Sequence, residues 1–146
     1  TTVSAGTNVD LTGLSGTAYK LVGVGDLNVG DDCVVTFNGL GGAEYDNEYH
    51  RLDGATNVTA AVVNGTSFQV TNNAVAGGFY FELWVWVDVV NSRLMYKMDY
   101  YQAGLALKSG GRVTDTTATS ISAIKFDTAS ANTFDAHFYL YKLSTA

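Results

Sequence analysis

Apolar and polar residues alternate along most of the chain, which predicts β-strands. In residues 79–90, FYFELWVWVDVV, every second residue from Phe79 to Val89 is apolar. Because successive side chains of a strand point to opposite faces, this face is expected to lie in the core. Similar runs predict further strands at 18–24, 32–38, 43–52, 58–63, 67–70, 93–101, 119–126 and 133–143.

Turn signals separate these runs, and the pair Asn64-Gly65 predicts a two-residue hairpin between 58–63 and 67–70. No segment keeps a helical period with a capping signature, so little helix is expected. Eight or nine short strands with such turns indicate an all-β fold, an antiparallel β-sandwich of jelly-roll type.

The first 18 residues differ from the rest in their weak patterning and their Thr, Ser and Gly content. They predict an extended N-terminal arm over 1–18, followed by the β-sandwich domain over 19–146. The apolar anchors Val3, Val9 and Leu11 are the residues through which this arm is expected to contact a neighbouring chain.

The two strand-like runs 79–90 and 93–101 are separated only by Asn91 and Ser92. A two-residue loop predicts a hairpin in which Val90 lies opposite Arg93 and Trp86 opposite Lys97. In this register the Lys97 ammonium is expected to lie over the Trp86 ring, as a cation–π contact.

The second face of this hairpin carries both tryptophans among charged residues, which is unusual for a solvated face. Three interpretations remain open: a loop or the N-terminal arm covers the face, the face is a subunit interface, or it binds sugar rings on its indoles. We call this second face of the hairpin the tryptophan face. Its residues are Glu82, Trp84, Trp86, Asp88, Arg93, Met95, Lys97 and Asp99.

Charge and cysteine content exclude several classes of protein. The net charge of −6 argues against a nucleic-acid partner, since no basic patch is present to neutralise phosphates. Cys33 is the single cysteine, so an internal disulfide is excluded, and its alternation with Val35 and Phe37 predicts a buried thiol.

The first ten residues lack a signal-peptide pattern, and Glu82 and Asp88 argue against a membrane span, so a soluble protein made in a cytoplasm is expected.

No motif for catalysis or for a cofactor is evident. His50 and His137 lie in strand-like runs, and no nucleophile, phosphate-loop or zinc-ligand spacing accompanies them. The acidic clusters of 26–32 and 44–48 lack the loop spacing of a calcium motif and are interpreted as solvated faces. The sequence therefore predicts a protein that is not an enzyme and that holds no metal or cofactor.

The C-terminal segment TSISAIKFDTASANTFDAHFYLYKL resembles the closing hairpin of small β-sandwich domains in tailed-bacteriophage virion proteins. In such domains a strand of the type ITSI-x-F, a turn rich in Ser, Ala and Asn, and a last strand F-x-A-x-F-x-L-Y end the domain. His137 stands where many of them carry a glycine, and AYKLVGVGDL resembles their early strand. The matching residues are Ile121, Ile124, Phe126, Phe134, Ala136, Phe138, Leu140 and Tyr141.

The resemblance implies a virion component assembled in the host bacterial cytoplasm, namely a capsid decoration (cement) protein or a head- or tail-fibre domain, often a homotrimer. Its partner would be the major capsid protein or another virion protein. The tryptophan face and the arm would then clamp neighbouring capsid subunits. The alternative is a carbohydrate-binding or receptor-binding domain, such as a tail-fibre tip or lectin-like module, that holds a glycan on Trp84 and Trp86.

Overall fold

The computed structural model describes residues 1–54, 56–70, 76–114 and 117–144; the side chain of Val3 is also outside this description. These ranges contain strands and loops and no helix. The strands are β1 (Thr2–Gly6), β2 (Asn8–Leu11), β3 (Ala18–Leu27), β4 (Cys33–Phe37), β5 (Tyr45–Asp53), β6 (Thr56–Gly65), β7 (Phe68–Gln69), β8 (Gly77–Asp88), β9 (Arg93–Gln102), β10 (Leu105–Val113), β11 (Ile124–Thr128) and β12 (Phe134–Lys142).

The strands form two antiparallel sheets that pack against each other, so the predicted all-β sandwich is confirmed. The larger sheet has the order β1-β12-β3-β8-β9-β10-β5-β6, and the smaller one has the order β2-β11-β4-β7. The jelly-roll type is not confirmed, because β8, β9 and β10 follow one another as a simple meander.

Aromatic side chains from both sheets fill the space between them. Phe126, on β11 of the smaller sheet, is fully buried. Its ring stacks on that of Phe81 at 5.3 Å between centroids and meets Phe134 edge-on at 5.3 Å. Cys33, Val35 and Phe37 of β4 are buried as the alternation predicts. This aromatic layer joins the sheets and leaves the outer face of the larger sheet open.

The N-terminal arm predicted for residues 1–18 is not confirmed. β1 pairs with β12 at one edge of the larger sheet, and β2 pairs with β11 at an edge of the smaller one. Val9 is buried in the core of its own chain, and Leu11 packs against that core, so neither is free to clamp a neighbour. The side chain of Val3 lies outside the described residues. The division of the chain at residue 18 stays a prediction.

The register predicted for the hairpin of β8 and β9 is wrong by two residues. Asp88 lies opposite Arg93 and Trp86 opposite Met95. The cause is the four-residue loop 89–92: the Asp88 carboxylate accepts bonds from the Val90 N–H at 3.1 Å and from the Asn91 side-chain amide at 2.7 Å. β8 therefore ends at Asp88, and Val89 is exposed instead of lying in the core. Since a shift of two residues preserves the faces, every side chain within the paired strands stays on its predicted face.

The predicted hairpin at Asn64-Gly65 is also wrong. β6 continues to Gly65 and pairs with β5, while β7 pairs with β4 in the other sheet. Asn64 has the positive φ of 56° that its turn propensity suggests, but here it belongs to a bulge near the end of β6. The Asn64 N–H donates to the Asp46 carboxylate at 3.1 Å, which fixes this bulge.

The strand β10 is not among the predicted strands. Its sequence LALKSGGRV carries Ser109, Gly110 and Gly111 at its centre, and these residues have low β-propensity. It nevertheless pairs over its whole length with both β9 and β5. This strand forms the floor of a depression on the outer face.

Candidate functional site

The outer face of the larger sheet, which the smaller sheet does not cover, brings together all eight residues of the predicted oligomer or ligand face. Glu82, Trp84, Trp86 and Asp88 point outward from β8, and their partners come from β9. Trp86 is 37% exposed, so no described loop covers its indole. The partners on β9 are Arg93, Met95, Lys97 and Asp99.

Trp84 is held between two ammonium groups from the strands on either side. Lys20 of β3 lies 4.8 Å from the ring centroid, and Lys97 of β9 lies 4.6 Å from it. The expected contact of Lys97 with Trp86 is therefore wrong, because the true register places Lys97 opposite Trp84. With a cation on each side and its ring half-buried, Trp84 is a structural centre of the face and not an open platform.

Glu82 links Lys20 to the tyrosines of the same face. Its carboxylate pairs with the Lys20 ammonium at 3.0 Å and accepts a short hydrogen bond from the Tyr80 hydroxyl. This hydrogen bond, with help from Lys20, lowers the pKa of Glu82, and it raises the pKa of Tyr80 to about 12. Glu82 is therefore a fixed carboxylate that orients Lys20 beside Trp84.

Beyond β9 the outer face sinks into a depression that we call the β10 groove. Gly110 presents no side chain to this face, and the hollow around it has a volume of about 440 Å³. Two smaller hollows of about 280 and 260 Å³ continue it past His50 and Lys108. The groove is lined by Asp46, Glu48 and His50 of β5, Ala61 and Val63 of β6, Met95 of β9, and Lys108, Gly110 and Arg112 of β10.

β5 and β10 approach closely at Gly111, next to the groove floor. A Cβ atom on Gly111 would lie 2.1 Å from the carbonyl oxygen of Asp46 and 2.8 Å from the Tyr96 hydroxyl. That hydroxyl donates to the same carbonyl at 3.2 Å. Glycine is required at this position, and its neighbour Gly110 leaves the outer surface bare.

Several polar and charged side chains along the groove contact one another. The Arg112 Nε and Nη2 atoms donate to one Asp46 oxygen at 3.2 and 3.1 Å. The hydrogen bond from the Asn64 N–H lowers the pKa of Asp46, and the hydrogen bond and charge of Arg112 lower it further. The Glu48 carboxylate lies 3.4 Å from His50 Nε2. The groove thus alternates acceptors and donors on rigid strands.

Trp86 stands at the edge of this groove. It lies opposite Met95 on β9, which lies opposite Arg112 on β10. Two strand spacings separate β8 from β10, a distance of roughly 10 Å. The indole and the polar groove therefore lie side by side on one surface.

The sequence pattern predicts the tryptophan face but not the groove. It places Asp46 and Glu48 on a solvated acidic face, whereas the structure pairs them with Arg112 and His50. The usable signal is the Gly110-Gly111 pair inside a strand, which marks a close backbone approach.

The second histidine of the chain lies outside the groove. His137 is exposed on β12, beside the edge strand β1, and shares a hydrogen bond of 3.0 Å with the Thr2 hydroxyl of β1. Among the described residues, no three His, Cys, Asp or Glu side chains are close enough to hold a metal ion. In the same part of the chain, no helix is long and apolar enough to span a membrane.

Comparison with known proteins gives similarities of fold at low identity. The galectin LEC-6 of Caenorhabditis elegans aligns with 96% of this chain and 93% of its own at 7% identity and a TM-score of 0.43. The CBM2 module of the evolved Dit of Lactobacillus casei BL23 phage J-1 aligns with 95% of this chain and 70% of its own at 10% identity and a TM-score of 0.36. A tail fiber protein of an E. coli phage aligns with 91% of this chain and 16% of its own at 12% identity and a TM-score of 0.22.

No family model matches the sequence, and no curated protein matches it.

Proposed function

We propose that this protein is a non-enzymatic carbohydrate-binding β-sandwich that holds a glycan in the β10 groove, with Trp86 at one end of the site. One observation carries this proposal: an exposed indole borders a groove lined by hydrogen-bond donors and acceptors on paired strands, among them the ion pair of Asp46 with Arg112. The β10 groove thus extends the tryptophan face that the sequence predicts.

The chemistry of a sugar ring matches this combination of surfaces. A pyranose has an apolar face of C–H groups, which packs on an indole, and hydroxyls that each donate and accept hydrogen bonds. The Asp46 and Glu48 carboxylates supply acceptors, and Arg112, His50 and Lys108 supply donors. Because Asp46 is already ion-paired with Arg112, this carboxylate needs no further charge from the ligand, which favours a neutral glycan.

In this proposal Trp84 does not stack on the ligand. Lys20 and Lys97 lie within cation–π distance of its ring, so the ring is not available for stacking. It instead supports the position of Lys97, which lies opposite Gly110 at the groove floor. The stacking surface of the site is therefore Trp86 alone.

Filling the groove tests this proposal. We expect Gly110→Val to reduce glycan affinity at least tenfold, because its side chain occupies the floor of the hollow. The matched control is Gly78→Val on the outer face of β8, where the nearest atom to a new Cβ is 3.5 Å away. An array of plant, animal and bacterial glycans selects the sugar, and calorimetry with that sugar compares the two variants.

Circular dichroism and the urea midpoint show whether each variant is folded before its affinity is measured. Equal affinity of folded Gly110→Val and wild type would contradict the proposed site. An array on which the wild-type protein binds no glycan would contradict the proposed function itself.

A second candidate, assembly with other virion proteins, is favoured by a separate aromatic patch. Tyr80, Tyr101, Tyr139 and Tyr141 are all exposed on the outer face, along β8, β9 and β12. Tyrosine is enriched in protein interfaces. The roles of capsid decoration protein and virion component, and the homotrimer, remain predictions that rest on the resemblance to phage domains.

A further inference from the structure

The edge strand β6 differs from the other edges of the two sheets. It contains ten residues, TNVTAAVVNG, with no charged residue and no proline. It pairs with β5 on one side, and among the described residues no strand pairs with its other side. Its backbone N–H and C=O groups on that side are therefore available to another strand.

The other three edges carry features that oppose such pairing. β1 has five residues and a break in its register between Val3 and Gly6. β2 has four residues and includes Asp10, and β7 has only two residues. Short length, bulges and charge are the usual means by which sheet edges avoid association. β6 is regular from Thr56 to Val62, and its bulge comes only at the end.

We infer that β6 pairs with β6 of a second copy of this chain, so that the two larger sheets join edge to edge in an antiparallel dimer. A two-fold axis perpendicular to the sheet at Ala60 places Val58 of each copy opposite Val62 of the other. These valines lie on the inner face, as Ala60 does, and are half-exposed in one copy. The dimer covers them on both sides of the axis.

A second copy fits this edge better than a charged strand does. Every side chain along β6 is neutral, and a charged partner strand would lose solvation against the valines without gaining an opposite charge. Among the described strands of ten or more residues, only β6 itself is neutral throughout. The interface is therefore self-complementary, as a two-fold contact requires.

This dimer has a consequence for the β10 groove. Ala61 and Val63 of β6 form one wall of the groove. A two-fold axis perpendicular to the sheet keeps both outer faces on the same side, so the grooves of the two copies meet across the junction. The dimer itself does not depend on the proposed function, since it rests on the backbone and side chains of β6.

The solution mass tests the dimer. We expect light scattering of the wild-type protein to approach twice the chain mass of 15.5 kDa as the concentration rises. Val58→Lys places an inward-pointing lysine on the edge and is expected to give the single chain mass at the same concentrations. Val24→Lys makes the same change on the central strand β3, at a side chain 40% exposed, and is expected to remain dimeric.

Hydrogen exchange of the wild-type protein provides a test without a variant. Amides of the peptide covering 56–65 should gain protection in concentrated protein and lose it on dilution, while a peptide covering β1 should not change. A wild-type chain that stays monomeric at every concentration would overturn the inference. So would concentration-independent exchange in β6, or a folded Val58→Lys protein with the wild-type mass.

Discussion

Replacing Phe126 by alanine is expected to lower the free energy of unfolding by about 3–5 kcal/mol. The side chain is fully buried, and its ring lies within 5.3 Å, between centroids, of the rings of Phe81, Phe134 and Phe138. Phe126 belongs to the smaller sheet and these three rings to the larger one, so its removal leaves a cavity where the sheets meet. Natural domains have about 5–15 kcal/mol of stability in total, so the variant is expected to be marginally folded at 25 °C.

Urea unfolding followed by circular dichroism measures this loss. Tyr139→Ala is the matched control, because it removes an aromatic ring that is 50% exposed on the outer face of β12. It is expected to cost less than about 1 kcal/mol, as surface substitutions usually do. A loss below about 1.5 kcal/mol in Phe126→Ala would mean that this ring does not join the sheets as described.

Gly111→Ala is expected to have the second large effect, a loss of about 3 kcal/mol or more in the free energy of unfolding. A methyl group at this position would lie 2.1 Å from the Asp46 carbonyl oxygen, which belongs to the paired backbone of β5. A backbone atom cannot swing aside as a side chain can, so the two strands must separate locally. Overpacking of this kind costs about 1–3 kcal/mol in well-packed sites, occasionally more.

Gly78→Ala is the control for this substitution. A Cβ atom there meets no atom closer than 3.5 Å, and glycine is not favoured in a strand interior. Its expected effect is neutral or slightly stabilising. If Gly111→Ala had the same small effect in urea unfolding, the close approach of β5 and β10 would be contradicted.

The alternation of apolar and polar residues in the sequence is sufficient to predict the long strands and their faces. Residues 79–90 and 93–101 alternate so strictly that the core face and the tryptophan face both follow from the pattern. The register does not follow from the alternation, because a shift of two residues leaves the faces unchanged. The Asp88 carboxylate decides it by holding the loop 89–92.

The β10 groove cannot be predicted in the same way, because it is made by residues far apart in the sequence. Glu48 and Gly110 become direct neighbours only through the pairing of β5 with β10. Ser109, Gly110 and Gly111 also have low β-propensity, so the pattern does not predict the strand that carries them. Close packing against the Asp46 backbone and Tyr96 overrides this local preference.

The two N-terminal strands are also not predicted by the sequence pattern. Residues 2–6 and 8–11 are too short and polar to be predicted as strands, yet each completes the edge of a sheet. The Ala5 N–H donates to the Asp135 carboxylate at 2.8 Å, a contact across 130 positions of the sequence. A pattern of neighbouring residues does not predict pairing between segments this far apart in the sequence.

The most direct test of the proposed site is an NMR titration of the ¹⁵N-labelled wild-type protein with the glycan selected by the array. The two indole N–H signals are assigned with Trp86→Phe. The proposed site predicts that the Trp86 indole and the Gly110 and Arg112 amides shift together and saturate at one affinity. Saturable shifts confined to the Tyr139 and Tyr141 side of the sheet, with the groove signals unchanged, would contradict it.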